Sequence, residues 1–227
     1  MLRFFSNYKP FAIVLLVLSI VIISIFYQIL KPREVLPIFQ PAQVNVELVD
    51  STIQHVKKYH TIADFSLINQ NGKTVTQDTY NNKIYIADFF FTTCQTICPI
   101  MTDHMVILQN KLKLDTDVML LSHTVTPEID SVAQLKKYAL NKGVLDSKWN
   151  LVTGDKKEIY QLARKSYLAV KSNGDGGEYD MIHTENFVLV DPDRRIRGYY
   201  DGTNEDEMKT LWEDLQVLKK EYPTLLN

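Results

Sequence analysis

Cysteine is nearly absent from this chain, with two among 227 residues. At most one disulfide can form, and two thiols cannot complete a zinc site, which wants four ligands. An excess of charge of either sign is also missing. The formal net charge is −2, so nothing points to a nucleic-acid partner. Internal repeats and low-complexity tracts do not occur, which excludes solenoid and linker-like architectures. With 45% hydrophobic residues, the chain can bury a core, and its length suggests one domain plus extras.

Charge has its sharpest gap near the start. Arg3 and Lys9 are the only charged side chains in the first thirty residues. Without them, 23 basic against 27 acidic groups leave −4, an ordinary soluble surface. The uncharged run FAIVLLVLSIVIISIFYQIL, residues 11–30, would be about 30 Å long as a helix and match a bilayer core. A buried core helix rarely needs so long a stretch that is apolar all round. A cleaved signal peptide would have a shorter apolar region and a small-residue cleavage site, whereas this run leads into FYQILKPR. No cysteine lies near it, so lipoprotein processing is excluded. The run therefore reads as a single uncleaved transmembrane anchor.

Flanking charge barely orients the anchor, because Arg3 and Lys9 on one side face Lys31 and Arg33 on the other. A short tail before a large domain with a two-cysteine motif argues for export of the domain. The first nine residues lack the character of a mitochondrial presequence. The expected organisation is a cytoplasmic tail over 1–10, an anchor over 11–30, a spacer over 31–59 and a folded domain over 60–227. The expected location is a bacterial inner membrane, crossed once, with the domain in the periplasm.

Pro32, Pro37 and Pro41 mark the spacer as extended, with a short helical piece near its end. TIADFSLINQNGKTVT alternates around Asn71-Gly72, which predicts a hairpin with a type I′ turn. KIYIADFFF predicts a central parallel strand covered on both faces. Pro99 predicts a helix start, with Cys98 at its N-cap and an apolar stripe of Met101, Met105, Leu108 and Leu112. DVMLLSHTV is the next strand. Thr126-Pro127 then predicts the cap and first turn of a helix ending near Gly143. Asp155 with Glu158 resembles a capping box, NFVLVDPDRRIRGYYDG reads as strand, turn and strand, and Asn204 with Glu207 caps a last helix. The order is hairpin, strand, helix, strand, helix, helix, hairpin, helix. This is an α/β layout with parallel central strands and a C-terminal antiparallel pair. Ligands in such sheets gather beyond the carboxyl ends of the strands, where Phe89–Phe91 delivers Cys94.

The stretch FFFTTCQTICPIM holds both cysteines, Cys94 and Cys98. Both thiols lie at or just ahead of a helix N-terminus, whose partial positive charge favours thiolate. Three readings compete. A structural disulfide across so short a loop constrains the unfolded chain little. A redox pair and a metal site both use the thiolate. Copper(I) is soft and content with two thiolates and one imidazole. Of the five histidines, His55 and His60 read as surface groups near the spacer, and His104 as a packed residue on a helix flank. His123 ends a strand beside the motif strand and is the most plausible bystander. His183, after the Gly-rich excursion SNGDGGEYD and directly before a strand, is the candidate third ligand.

These residues resemble the SCO/SenC family of membrane-anchored, thioredoxin-like copper-handling proteins. The resemblance runs from about Leu36 to the last helix, through the blocks FFFTTCQTICP, TVTPEIDSVAQLKKYA, WNLVTGDKKEI and IHTENFVLVDPDRRIRGYYDG. It implies a thioredoxin-like α/β fold, a central mixed sheet flanked by helices, preceded by one N-terminal transmembrane helix. It implies that Cys94, Cys98 and His183 bind copper, expected as copper(I); copper(II) is left open, and Asp180, close to His183 in sequence, is the candidate extra ligand for it. It also implies that the protein helps build the dinuclear copper centre of cytochrome c oxidase subunit II, supplied by a periplasmic copper donor or thiol reductant. Many members have Asp-Pro where this chain has Thr126-Pro127.

Asp88 stands six residues before Cys94 in an apolar strand, where thioredoxins keep a buried aspartate that exchanges protons with their cysteines. A buried carboxylate needs a reason, and a proton relay would be one, as would a bond to a neighbouring backbone group or hydroxyl. The alternative function is therefore a membrane-tethered thiol–disulfide oxidoreductase using the Cys94–Cys98 pair as its redox-active disulfide, without an essential metal. Against it stand the C-x-x-x-C spacing and the absence of proline in HTENF, where thioredoxin-like enzymes place a cis-proline. No classical catalytic set is singled out. A copper or redox sensor is the third class, with no interaction surface legible in the sequence.

Overall fold

The computed structural model describes residues 9–30, 35–170, 177, 181–182 and 184–223. Two units are distinct, Met1–Glu34 and Val35–Asn227. The first contains helix α1, Lys9–Leu30. Side chains are described there for residues 11–27, and all are exposed. Among the described residues no helix is long and apolar enough to cross a membrane.

The second unit is built on seven described strands: β1 Ser66–Asn69, β2 Thr74–Thr76, β3 Ile84–Phe90, β4 Val118–Thr124, β5 Trp149–Thr153, β6 Asn186–Val190 and β7 Ile196–Asp201. They form one sheet in the order β2-β1-β5-β4-β3-β6-β7. Strands β3, β4 and β5 are parallel. The β1–β2 hairpin closes one edge and the β6–β7 hairpin the other, both antiparallel to the centre. Helices α2 Ile97–Lys111, α3 Val132–Lys142 and α5 Glu205–Glu221 bury Met101, Met105, Leu108, Leu135, Ala139, Leu211 and Leu215 in the core on one face of the sheet. Helix α4, Lys156–Gln161, covers the other face with Ile159 and Tyr160, then widens into a π turn over Leu162–Ser166. Every residue of β3 is buried, as a strand covered on both sides requires.

Four sequence expectations are corrected by this architecture. Strand β5 is an addition, because WNLVT carries no alternation to announce it. All five residues are nevertheless buried, and Asn150 is satisfied by donating to the Tyr80 hydroxyl and accepting from Asn69. The β1–β2 turn is not type I′. Asn69 accepts from Gly72 and donates to Lys73, only Gly72 (φ 72°) is left-handed, and a three-residue loop with a glycine bulge results. Thr126-Pro127 opens a turn, and α3 starts later with Ser131 as its cap, accepting from the Gln134 N–H. Its end at a left-handed Gly143 is as expected.

Residues 35–59, the described part of the spacer expected over 31–59, pack onto the domain from their first residues. Val49 is fully buried, and Phe39 donates its N–H to Ile196. Arg197, 1% exposed, explains the attachment. Its guanidinium donates to the carbonyls of Leu36 and Pro37 and pairs with Asp191 and Glu221. A buried cation with that many acceptors has no reason to release the strap, since breaking one side of such a network costs about 3–5 kcal/mol.

Candidate metal centre

Strand β3 ends at Phe90, and the next turn carries Cys94, whose N–H donates to the Phe91 carbonyl at 3.3 Å. Helix α2 begins at Ile97 after Thr96, so Cys98 lies inside the first turn rather than at the N-cap. Pro99 is tolerated there because the first N–H groups of a helix have no intrahelical acceptor to lose. Both cysteines are free thiols, Cys94 half-buried and Cys98 buried.

Their electrostatics differ sharply. Desolvation works against ionisation of Cys94, yet the N–H groups of Cys98 and Thr96, with the Cys98 thiol and Thr96 hydroxyl, bring it down to about 7. The Thr96 hydroxyl lies 3.6 Å from its sulfur, a neighbour the sequence did not single out although it sits between the two cysteines. Burial pushes Cys98 up to about 12, opposed by the Phe91 backbone and reinforced by Cys94 and Asp88. One sulfur is thus a ready thiolate near neutral pH, while the other gives up its proton only to a strong partner. An attacking thiol with a buried resolving thiol has this asymmetry, and so does a dithiol that a soft cation must deprotonate to bind.

The alternation of the strands decides which other groups can reach the pair. Ile86 and Phe90 share their core with Cys98, whereas Ala87 and Phe89 face the opposite one. Asp88 therefore lies on the α2 side, paired in register with Ser122. It is 2% exposed, and one of its carboxylate oxygens has no partner among the described residues. Burial pushes Asp88 up to about 7, with the Ser122 hydroxyl pulling the other way.

His123 falls on the far side of the sheet. Its ring stacks on Phe89 with centroids 4.9 Å apart and meets Tyr167 edge-on at 5.3 Å. Neither ring nitrogen has a hydrogen-bond partner among the described residues, and burial brings it down to about 4. A sheet thickness separates it from α2, so the bystander is removed from the ligand set. His60 and His104 are committed elsewhere, donating to the Ser166 carbonyl at 2.8 Å and the Gly202 carbonyl at 2.7 Å. His183 and Asp180 lie outside the described residues. Among the described residues, no group of three or more His, Cys, Asp or Glu could hold a metal ion. The donor chemistry of the thiol pair itself fits a soft cation, because both atoms are sulfur and one is already poised as thiolate.

A family profile described as SCO1/SenC matches residues 53–218. The chain belongs to the SCO1/SenC family. A "SCO1 protein homolog" of Bacillus subtilis is 37% identical over 159 residues, covering 69% of this chain and 82% of that one. The solved structure of BsSco superposes with a TM-score of 0.60 at 35% identity, covering 70% of this chain and 93% of its own. That protein is described as having a disulfide switch and as a member of the Sco family of cytochrome c oxidase assembly proteins. ScoI of Bradyrhizobium japonicum, solved with copper bound, is similar at 26% identity and TM-score 0.51, covering 68% of this chain and 99% of its own. The mixed sheet flanked by helices is the thioredoxin-like fold of this family.

Proposed function

We propose that this chain handles copper for the assembly of cytochrome c oxidase, binding copper(I) through Cys94, Cys98 and His183. The observation that carries the reading is the unequal thiol pair at the head of α2, in a chain of a family with copper-bound members. The topology supports the third ligand. Strand β6 runs antiparallel to β3, with Ala87 opposite Val188 and Tyr85 opposite Val190. The chain therefore enters β6 at the edge of the sheet where β3 leaves toward Cys94. Copper is cargo, and the partner is the dinuclear copper site of subunit II, whose cysteines a dithiol could also reduce. Copper(II) would call for a further donor, for which Asp180 is the candidate.

The domain is exposed on the periplasmic side of a bacterial inner membrane, and residues 11–30 are its anchor. The described part of α1 exposes an uncharged apolar surface from Phe11 to Tyr27. The sequence carries that character on to Leu30, which brings the run to spanning length. Such a surface needs a cover, and lipid is the one it matches.

Asp88 favours a second reading, a thiol–disulfide oxidoreductase, because a buried carboxyl that titrates near 7 beside the Cys98 core could accept that thiol's proton. One experiment divides the two. Cytochrome oxidase assembly is scored in a His183→Ala strain, with and without added copper. The copper reading expects an assembly defect that added copper relieves. Normal assembly in that strain, with slowed thiol exchange in Asp88→Asn, would establish the oxidoreductase instead.

A further inference from the structure

Asp130 is fully buried, and its partners among the described residues are hydroxyls and an amide rather than a cation. The Thr92 hydroxyl donates to Oδ1 at 2.5 Å and the Thr92 N–H to Oδ2 at 3.1 Å. The Thr126 hydroxyl donates to Oδ2 at 3.1 Å, and the Thr124 hydroxyl donates to the same oxygen. One donor reaches Oδ1 and three reach Oδ2, so both oxygens of the carboxylate are held, by bonds of the stronger, charge-assisted kind.

These donors come from two places with different consequences. Thr124 closes β4 and Thr126 lies in the turn beyond it, so both belong to the scaffold. Thr92 lies two residues past the end of β3 and two before Cys94. Its hydroxyl also accepts from the Gln134 side chain of α3 at 2.9 Å. The backbone pairing of the two strands is carried up to this point by the Val125 N–H donating to the Phe90 carbonyl at 2.8 Å. Past it, the loop is tied to the sheet through Asp130.

We propose that Asp130 is a positioning residue for the thiol pair: its carboxylate holds Thr92 and thereby fixes where the loop delivers Cys94 relative to Cys98. This rests on the dithiol part of the function proposed above and holds whether the pair carries copper or exchanges disulfides. A merely structural clamp would make the three hydroxyls interchangeable, whereas a positioning role singles out the one on the loop.

Phenylarsine oxide reads the spacing of two thiols without copper. Its arsenic forms one bond to each sulfur, and the oxide oxygen leaves as water with the two thiol protons. The full-length, reduced, metal-free chain in detergent is titrated with it. Thr92→Val is expected to weaken bridging about tenfold, the order of one lost hydrogen bond to a charged group. Thr126→Val, which removes another hydroxyl donor from the same carboxylate, is expected to stay within about twofold of the parent, although both variants lower the denaturation midpoint. Thr92→Ser restores the hydroxyl and should restore bridging, and Asp130→Asn should weaken it. Equal effects of Thr92→Val and Thr126→Val, or wild-type bridging in Thr92→Val, would overturn the proposal even if Asp130→Asn fails to fold. A parent chain that bridges arsenic in this pattern but binds no copper(I) counts against the copper reading and leaves the positioning role standing.

Discussion

The two faces of the central sheet each bury a titratable group with at least one polar atom unpaired among the described residues, and only one of the two groups lies on the thiols' side. On the α2 face, Asp88 lies in the core that holds Cys98. On the other, His123 sits in a box of Phe65, Phe89 and Tyr167, with neither nitrogen hydrogen-bonded among the described residues. Residue type and burial alone would rank the histidine higher as a copper ligand. Strand parity reverses that ranking. A buried polar group becomes a functional candidate when it shares a face with the reacting atoms, and remains a stability cost when it does not.

The largest expected effect sharpens this contrast directly. Cys94→Ser and Cys98→Ser should each abolish stoichiometric copper(I) binding in a chelator competition, while His123→Phe retains it. Binding lost in His123→Phe with the fold intact would break the comparison.

Stability against pH comes next, because the two orphans pull in opposite directions over the same window. Below about pH 4, Asp88 is protonated folded or unfolded and costs nothing; between about 4 and 7 only the folded chain keeps that proton, so stability falls as pH rises. His123 is neutral in both states above about 6.5; between 6.5 and about 4 only the unfolded chain takes a proton, so stability falls as pH drops. In the parent chain the two slopes largely offset. Asp88→Asn should be more stable than the parent at pH 8 by about 2–4 kcal/mol, with no such gain at pH 4. His123→Phe should gain a similar amount, about 2–3 kcal/mol, at pH 4 and little at pH 8. Urea denaturation across pH measures both, and parallel curves for the two variants would show that neither group is buried as described.

Within the α2 face the thiols themselves should separate. Iodoacetamide followed by mass spectrometry should modify Cys94 with a midpoint near pH 7 and leave Cys98 unmodified until far higher pH. Equal labelling at neutral pH would remove the asymmetry. The smallest effect is expected from His104, which only ties α2 to the Gly202 carbonyl. His104→Gln should cost about 0.5–1.5 kcal/mol of stability and leave copper binding unchanged.

Much of this was legible in the sequence, and the gaps have physical causes. The apolar run of β3, the Met101–Leu112 stripe and the caps Asp155 and Asn204 are local signals, and the structure keeps them. Strand β5 was missed because its Asn150 is satisfied by Tyr80 and Asn69, residues about seventy to eighty positions away in the chain. The spacing of Glu158 from Asp155 suggests a capping box, but the Glu158 carboxylate instead accepts the Ser66 N–H, another distant partner. The strap over residues 35–59 depends on the remote Arg197. Thr126 looked like a helix cap because a threonine before proline usually is one; its hydroxyl serves Asp130. At the site, the cysteines and Asp88 were visible as residue types in a motif. The Thr92–Asp130 contact spans 38 positions and leaves no periodicity to find.

The central claim concerns what surrounds bound copper, and X-ray absorption at the copper edge reports it most directly. The full-length reduced chain is loaded with a single equivalent of copper(I), beside His183→Ala treated identically. A shell of two sulfurs and one nitrogen that loses the nitrogen in the variant is the predicted result. An unchanged shell in His183→Ala, or a shell without sulfur pairs in the parent, would contradict it.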